Sequence, residues 1–258
     1  MTMISTRSAD GTEIVLDRLG SGSPVVLVSG ASCARGVHAP LAELLADGHT
    51  VVNYDRRGRG DSGDTPPYDV RREIEDLAAV IVVSGGSAAV FGNSSGAVLA
   101  LRAAAEGVPI TRLALWEPPF QLDPGAPERA RAYAAELAGC LAEGRRGDAM
   151  ALFMSSVGLP PGVIAQMRQA PMWASMEAIA PTLAHDAAIM GDGRPPAGLS
   201  DVKAPTLIMT GSRTGSWSLA AAEALTDLLP FPRHTVLQGQ DHNVSWEALV
   251  PHLRSFLS

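Results

Sequence analysis

Three residues in this sequence have the types and settings that nucleophilic acyl chemistry requires: Ser94, His242 and Glu117. Ser94 stands in Gly92-Asn93-Ser94-Ser95-Gly96, after the apolar run Ala88-Ala89-Val90-Phe91 and before a small-residue, helix-like stretch over 95–105. A serine on such a strand–turn–helix junction is lifted above the sheet edge. Small residues two positions to either side let strand and helix approach, and the N-terminus of the new helix faces developing negative charge. A plain glycine turn with a capping serine would leave a similar pattern, but the strand–turn–helix context favours the nucleophile. A serine hydroxyl also needs a base. Among six histidines, His242 in Gly239-Gln240-Asp241-His242-Asn243 follows the last apolar run and precedes the last helical one, which puts it at the same sheet edge as Ser94. The base needs a carboxylate to hold its tautomer and its charge. The turn after Thr210-Gly211, where an acid is expected, carries Thr214 instead, and no Asp or Glu occurs from 211 to 222. Glu117, at the end of the run Leu113-Ala114-Leu115-Trp116, is the best candidate. Pro118 is expected to hold it extended, and the order Ser, Glu, His fits. The alternative is a structural carboxylate at a chain joint. Acyl transfer further needs oxyanion donors; the expected pair is the N–H of Ser95 and that of Ala31, in Ser29-Gly30-Ala31.

These groups need a frame. A hairpin signal sits at Asp10-Gly11. Short runs at 25–28, 50–54, 88–91, 110–116, 204–210 and 234–237 read as strands, the apolar run 25–28 as a buried parallel one. Helical patterns alternate with them: one around Leu41, Leu44 and Leu45, then 70–82, 95–105, 217–229 and 245–257. The alternation predicts an α/β fold with a mostly parallel, eight-stranded sheet covered on both faces. Residues 120–200 break the pattern: they contain no convincing strand and are flanked by Pro118-Pro119 and Pro195-Pro196. They are expected to form a helical lid on a core made of residues 1–119 and 201–258.

Composition narrows the classes. The chain has 258 residues, 46% apolar and 18% charged, enough for a large core. A net charge of −7, with only the short clusters Arg56, Arg57, Arg59 and Arg145-Arg146, argues against nucleic acid as a partner. No apolar run reaches membrane-spanning length. Two cysteines without a Cys-x-x-Cys, and no signal-like start over residues 1–8, lead to the expectation of a cytoplasmic location without disulfides or structural zinc. Gly58-Arg59-Gly60-Asp61-Ser62-Gly63 fits a dinucleotide-site pattern, but Pro66-Pro67 follow where a helix should open. No metal or organic cofactor is expected.

The whole chain resembles the α/β-hydrolase superfamily, in the lid-bearing branch that includes esterases, haloperoxidases, dehalogenases and epoxide hydrolases. Gly92 to Gly96 resembles its nucleophile elbow. Asp55-Arg56-Arg57-Gly58-Arg59-Gly60-Asp61-Ser62 resembles its Asp-x-Arg-Gly-x-Gly-x-Ser turn, with a structural role. The resemblance places Glu117 where dehalogenase-like members carry their acid, while Ser94 replaces an aspartate nucleophile; dehalogenase and epoxide hydrolase activities are thereby disfavoured. Two departures stand out. Ser29-Gly30 replaces the usual His-Gly before the oxyanion loop, and Asn93 replaces the His or Trp common before the nucleophile.

Six of nine methionines lie between Met150 and Met190, and methionine adapts to irregular apolar ligands. Candidate pocket residues are Cys33, His38, Asn93, Phe120, Phe153, Met154, Met172 and Trp173; ordinary packing is the competing reading. The resulting expectation is a serine hydrolase acting on an ester, thioester or lactone of a small to medium hydrophobic substrate. A non-hydrolytic enzyme of the same fold (cyclisation or C–C bond chemistry in secondary metabolism) and a ligand-binding protein with a silent triad are the alternatives.

Overall fold

Alternating β-branched and apolar residues set the strands. The computed structural model describes residues 1–258. It opens with the hairpin β1 (Thr2–Arg7) and β2 (Glu13–Leu19), turned at Asp10-Gly11 with Gly11 in the left-handed region. Then follow β3 (Ser23–Val28), α1 (Ala39–Leu45), β4 (His49–Tyr54), α2 (Val70–Val83), β5 (Ala88–Asn93), α3 (Ser95–Ala105) and β6 (Ile110–Trp116). Five helices come next: α4 (Ala126–Ala142), α5 (Arg146–Ser156), α6 (Pro161–Met167), α7 (Trp173–Ile179) and α8 (Leu183–Met190). The chain finishes with β7 (Thr206–Gly211), α9 (Ser216–Leu228), β8 (Pro232–Leu237) and α10 (Trp246–Leu257). The strands form one eight-stranded sheet in the order β1-β2-β4-β3-β5-β6-β7-β8. All neighbours from β4 to β8 run parallel, and the β1–β2 and β2–β4 pairs are antiparallel.

Apart from the edge strand β8, the parallel strands are largely buried on both faces, so successive residues serve different cores. Val26, Val28, Val90, Leu113, Leu115 and Ile208 pack in one cluster with residues of α2, α3 and α9. Val25, Leu27, Phe91, Ala114, Trp116 and Met209 pack on the other side with α1 and α10. The helices α4 to α8 hold a third cluster of their own, including Leu137, Cys140, Met150, Met154, Ile164, Trp173 and Leu183.

Buried charge joins this helical insertion to the sheet. Arg56, Arg57 and Arg59, in the turn after β4, are all buried. Arg57 pairs with Asp76 of α2 and with Asp10 in the hairpin turn. Arg56 grips Glu73 of α2 with two nitrogens, at 2.7 and 3.0 Å. Arg56 and Arg59 both reach Asp186 of α8. The glycines of the same turn are dictated by space: a Cβ on Gly60 would collide with the Asp55 carboxylate. That carboxylate accepts from the backbone N–H of Arg35 and of Asp61 and pairs with the Arg35 guanidinium. No helix opens here, so the glycine pattern of 58–63 serves a turn. No helix of the protein is long and apolar enough to cross a membrane.

Burial pushes the carboxyls of Asp186 and Glu73 up, but the neighbouring guanidiniums outweigh it and hold both below the ordinary range. Such groups stabilise the fold fully above their unfolded-state values of about 4. That contribution falls as the pH drops from there and is gone below the lower folded-state values. Asp186→Asn is therefore expected to flatten the acid limb of a stability-against-pH curve measured by urea unfolding. A second prediction concerns the elbow: a Cβ on Gly92 would stand 2.6 Å from Gly96 O and 2.8 Å from the Ala97 Cα. Gly92→Ala is expected to cost about 1–3 kcal/mol through overpacking, read from the same unfolding experiment.

Candidate active site

The parallel strands β5 and β6 end side by side, with Asn93 in register with Trp116. The next residue on each chain carries a candidate function. Ser94 leaves β5 with φ +53° and ψ −127°, in the left-handed half of the backbone map, and α3 starts one residue later, at Ser95. Such a conformation strains a residue with a side chain and survives only where the surroundings enforce it. Here the Ser94 N–H donates to Trp116 O at 2.9 Å, and its carbonyl accepts from Ala97 N–H at 2.9 Å. Gly92 and Gly96 provide the bare backbone: a Cβ on Gly96 would strike the Val28 and Ser29 carbonyls.

Glu117 is fully buried. Its Oε1 accepts the Gly211 N–H at 2.8 Å and its Oε2 meets His242 Nδ1 at 2.7 Å. The backbone differs from expectation: Glu117 has φ +44°, where an extended conformation is expected before proline. Its N–H is held by Met209 O and both carboxylate oxygens are engaged, so the tertiary contacts override the local preference. His242 is half-buried, with the Trp217 ring edge-on at 5.8 Å. With Nδ1 committed to Glu117, Nε2 is the nitrogen left to exchange a proton. Trp116, which the sequence reading treated only as a strand residue, spaces the group: its carbonyl takes the Ser94 N–H, and its indole N–H donates to His242 O at 3.0 Å.

The loop after β3 carries Ala31, which is partly buried and packs against the insertion cluster. Ser32 has φ +56°, and its Oγ is 3.6 Å from Met150 Sδ, a contact between the loop and the helical insertion. Side chains from three segments hold the loop backbone. Asn93 Oδ1 accepts from Gly30 N–H at 3.1 Å, Ser29 Oγ donates to Cys33 O at 3.3 Å, Arg59 donates to Gly30 O at 2.7 Å, and Arg56 donates to Ser29 O at 3.2 Å. Asn93 thus acts through backbone positioning. Ser95 is buried, and its Oγ donates to Asp186 Oδ1 at 2.8 Å.

The remaining pocket candidates scatter. Cys33 is partly buried in the loop, and burial pushes its thiol up. His38 is fully buried on the α1–α10 side, beside Phe91 and Trp246, and burial pulls it down to about 4. Phe120 is fully buried in the core cluster that also holds Ile189. Met154 and Trp173 lie inside the insertion's own cluster, Phe153 packs against it, and Met172 is 55% exposed. Helical periodicity locates apolar faces but does not say whether a face turns inward to its own bundle or down to a pocket. No three His, Cys, Asp or Glu side chains converge as a metal-ligand set.

Comparison with known proteins identifies the family of the fold. Residues 25–253 match the model of the Alpha/beta hydrolase family. The crystal structure of an alpha/beta hydrolase from Sphaerobacter thermophilus is 52% identical, with 99% of this chain and 100% of that chain covered and a TM-score of 0.91. Among curated proteins, a putative carbamate hydrolase, RutD of Azorhizobium caulinodans, is 33% identical over 87 residues, 33% of either chain. The polyketide synthase ThaQ of Burkholderia thailandensis is 27% identical over 96% of this chain, which spans 12% of that protein's length. A 52%-identical relative matched end to end, and a family match running from β3 into α10, make this chain a member of the alpha/beta hydrolase family.

Proposed function

We propose that the protein is a serine hydrolase that cleaves an ester, thioester or lactone of a small to medium hydrophobic substrate through an acyl-enzyme. The observation that carries this reading is the 2.7 Å contact of the buried Glu117 carboxylate with His242 Nδ1, at the sheet edge where Ser94 is held in a strained turn. His242 Nε2 takes the hydroxyl proton of Ser94 as Oγ attacks the carbonyl carbon. The oxyanion is met by the N–H groups of Ala31 and Ser95. Collapse expels the alcohol or thiol, which receives its proton from His242. Water, deprotonated by the same nitrogen, then releases the acid. Glu117 keeps the imidazole in the required tautomer and stabilises its charged form. The edge of Trp217 beside His242, and the apolar insertion cluster against Ala31, favour a hydrophobic acyl or alcohol group.

A second reading keeps the acyl-enzyme and changes the acceptor. The similarity of nearly the whole chain to one stretch of a polyketide synthase supports a thioester donor whose acyl chain is attacked by its own hydroxyl, a cyclisation. Hydroxyacyl thioesters decide between the two: free acid means hydrolysis, lactone means cyclisation.

On p-nitrophenyl esters of two to eight carbons, Ser94→Ala is expected to lower kcat by about 10³-fold or more, down to what binding and the oxyanion donors alone supply. Glu117→Gln keeps the shape and loses the charge; kcat is expected to fall about 10²–10⁴-fold. Retained turnover in Ser94→Ala would remove the nucleophile assignment.

A further inference from the structure

We propose that Arg59 and Asp186 are positioning residues for the oxyanion donors, so that the helical insertion itself sets the geometry in which the transition state at Ser94 is held. This rests on the acyl-transfer reading above.

The case is one of peptide planes. The Ala31 N–H and the Gly30 C=O belong to the same planar, trans unit and point in opposite directions. A group that fixes Gly30 O therefore aims the Ala31 N–H. Arg59 Nη1 does this at 2.7 Å and also reaches Cys33 O at 3.3 Å, on the far side of Ala31. Being charged, it also polarises the peptide, which makes the N–H a better donor. The preceding peptide, Ser29–Gly30, is held as well, by Asn93 Oδ1 on the Gly30 N–H and by Arg56 Nη1 on Ser29 O. Arg59 is itself aimed by Asp186, since its Nη2 lies 2.9 and 2.8 Å from the two carboxylate oxygens.

The second donor is tied to the same carboxylate. Ser95 Oγ donates to Asp186 Oδ1 at 2.8 Å, and Arg56 Nη1 meets that oxygen at 2.9 Å while donating to Ser29 O. One carboxylate on α8 thus braces the residue after the nucleophile and, through two guanidiniums, the carbonyls of Ser29, Gly30 and Cys33. Asp186, Arg56, Arg59 and Glu73 together carry no net charge, so the cluster adds rigidity at the site without adding net negative charge beside the oxyanion.

The test uses Arg59→Lys, which keeps a cation for Asp186 but lacks a second arm for Gly30 O, and Asp186→Asn. Each is assayed for kcat and KM on p-nitrophenyl butyrate, for inhibition by an alkyl trifluoromethyl ketone that forms a tetrahedral adduct, and for the fraction of active sites labelled by a fluorophosphonate. A donor misplaced by a fraction of an ångström is expected to lower kcat per labelled site about 10–100-fold. KM should stay near the wild type, with ketone affinity falling in parallel with kcat. Variants with wild-type kcat per labelled site overturn the proposal, whether or not fewer sites survive, because the pair then serves folding alone. A fall in kcat without loss of ketone affinity overturns it as well. A wild type that neither turns over the ester nor reacts with the fluorophosphonate would instead remove the acyl-transfer reading.

Discussion

A carboxylate taken out of water is costly unless cations and hydrogen-bond donors meet it where it is buried. Asp186 meets that requirement only when three separated parts of the chain are in place: the Arg56–Arg59 turn after β4, the first residue of α3, and α8 itself. The sheet edge, the elbow and the insertion are therefore joined by one interaction. Half-formed versions are penalised, because each leaves an unpaired charge in a low-dielectric interior. Arg57 repeats the device on a smaller scale, binding α2 and the first hairpin to the same turn.

The insertion accordingly has two characters. Helices α4 to α7 pack largely on one another through Met150, Met154, Ile164 and Trp173 and present Val157, Val163 and Met172 to solvent. Helix α8 is bonded to the core by charge and stacks His185 on Tyr68 at 3.8 Å. Displacing the first group breaks fewer charged contacts to the core than displacing the second.

Much of this was legible in the residues. The β-branched runs mark the parallel strands because both faces of each must be apolar, and Asp10-Gly11 marks its hairpin because a tight turn needs a positive φ there. Ser94 could be read because a strained elbow imposes bare positions at 92 and 96. Glu117 was reached from the lack of an acid after β7. What stayed hidden depends on contacts distant in sequence. Asp186 lies 130 residues from Arg56, and an acidic residue in a helical stretch ordinarily faces solvent. Nothing local marks Arg59 as the brace of the Ala31 peptide. The φ of Glu117 went against the pre-proline rule because three tertiary hydrogen bonds outweigh a local steric preference. Phe120 and Met172 show the corresponding limit for apolar residues, since their type gives no direction.

Ser94 and Glu117 directly follow neighbouring strands whose register fixes their separation. The turn after β7, from Ser212 to Gly215, gives the triad no side chain; the buried Thr214 hydroxyl there has no partner. This turn follows the Gly211 N–H that anchors Glu117 and leads into Trp217, whose ring lies against His242. Under the acyl-transfer proposal, mutational drift there costs little, so descendants of this chain have a ready place for altering the surroundings of His242.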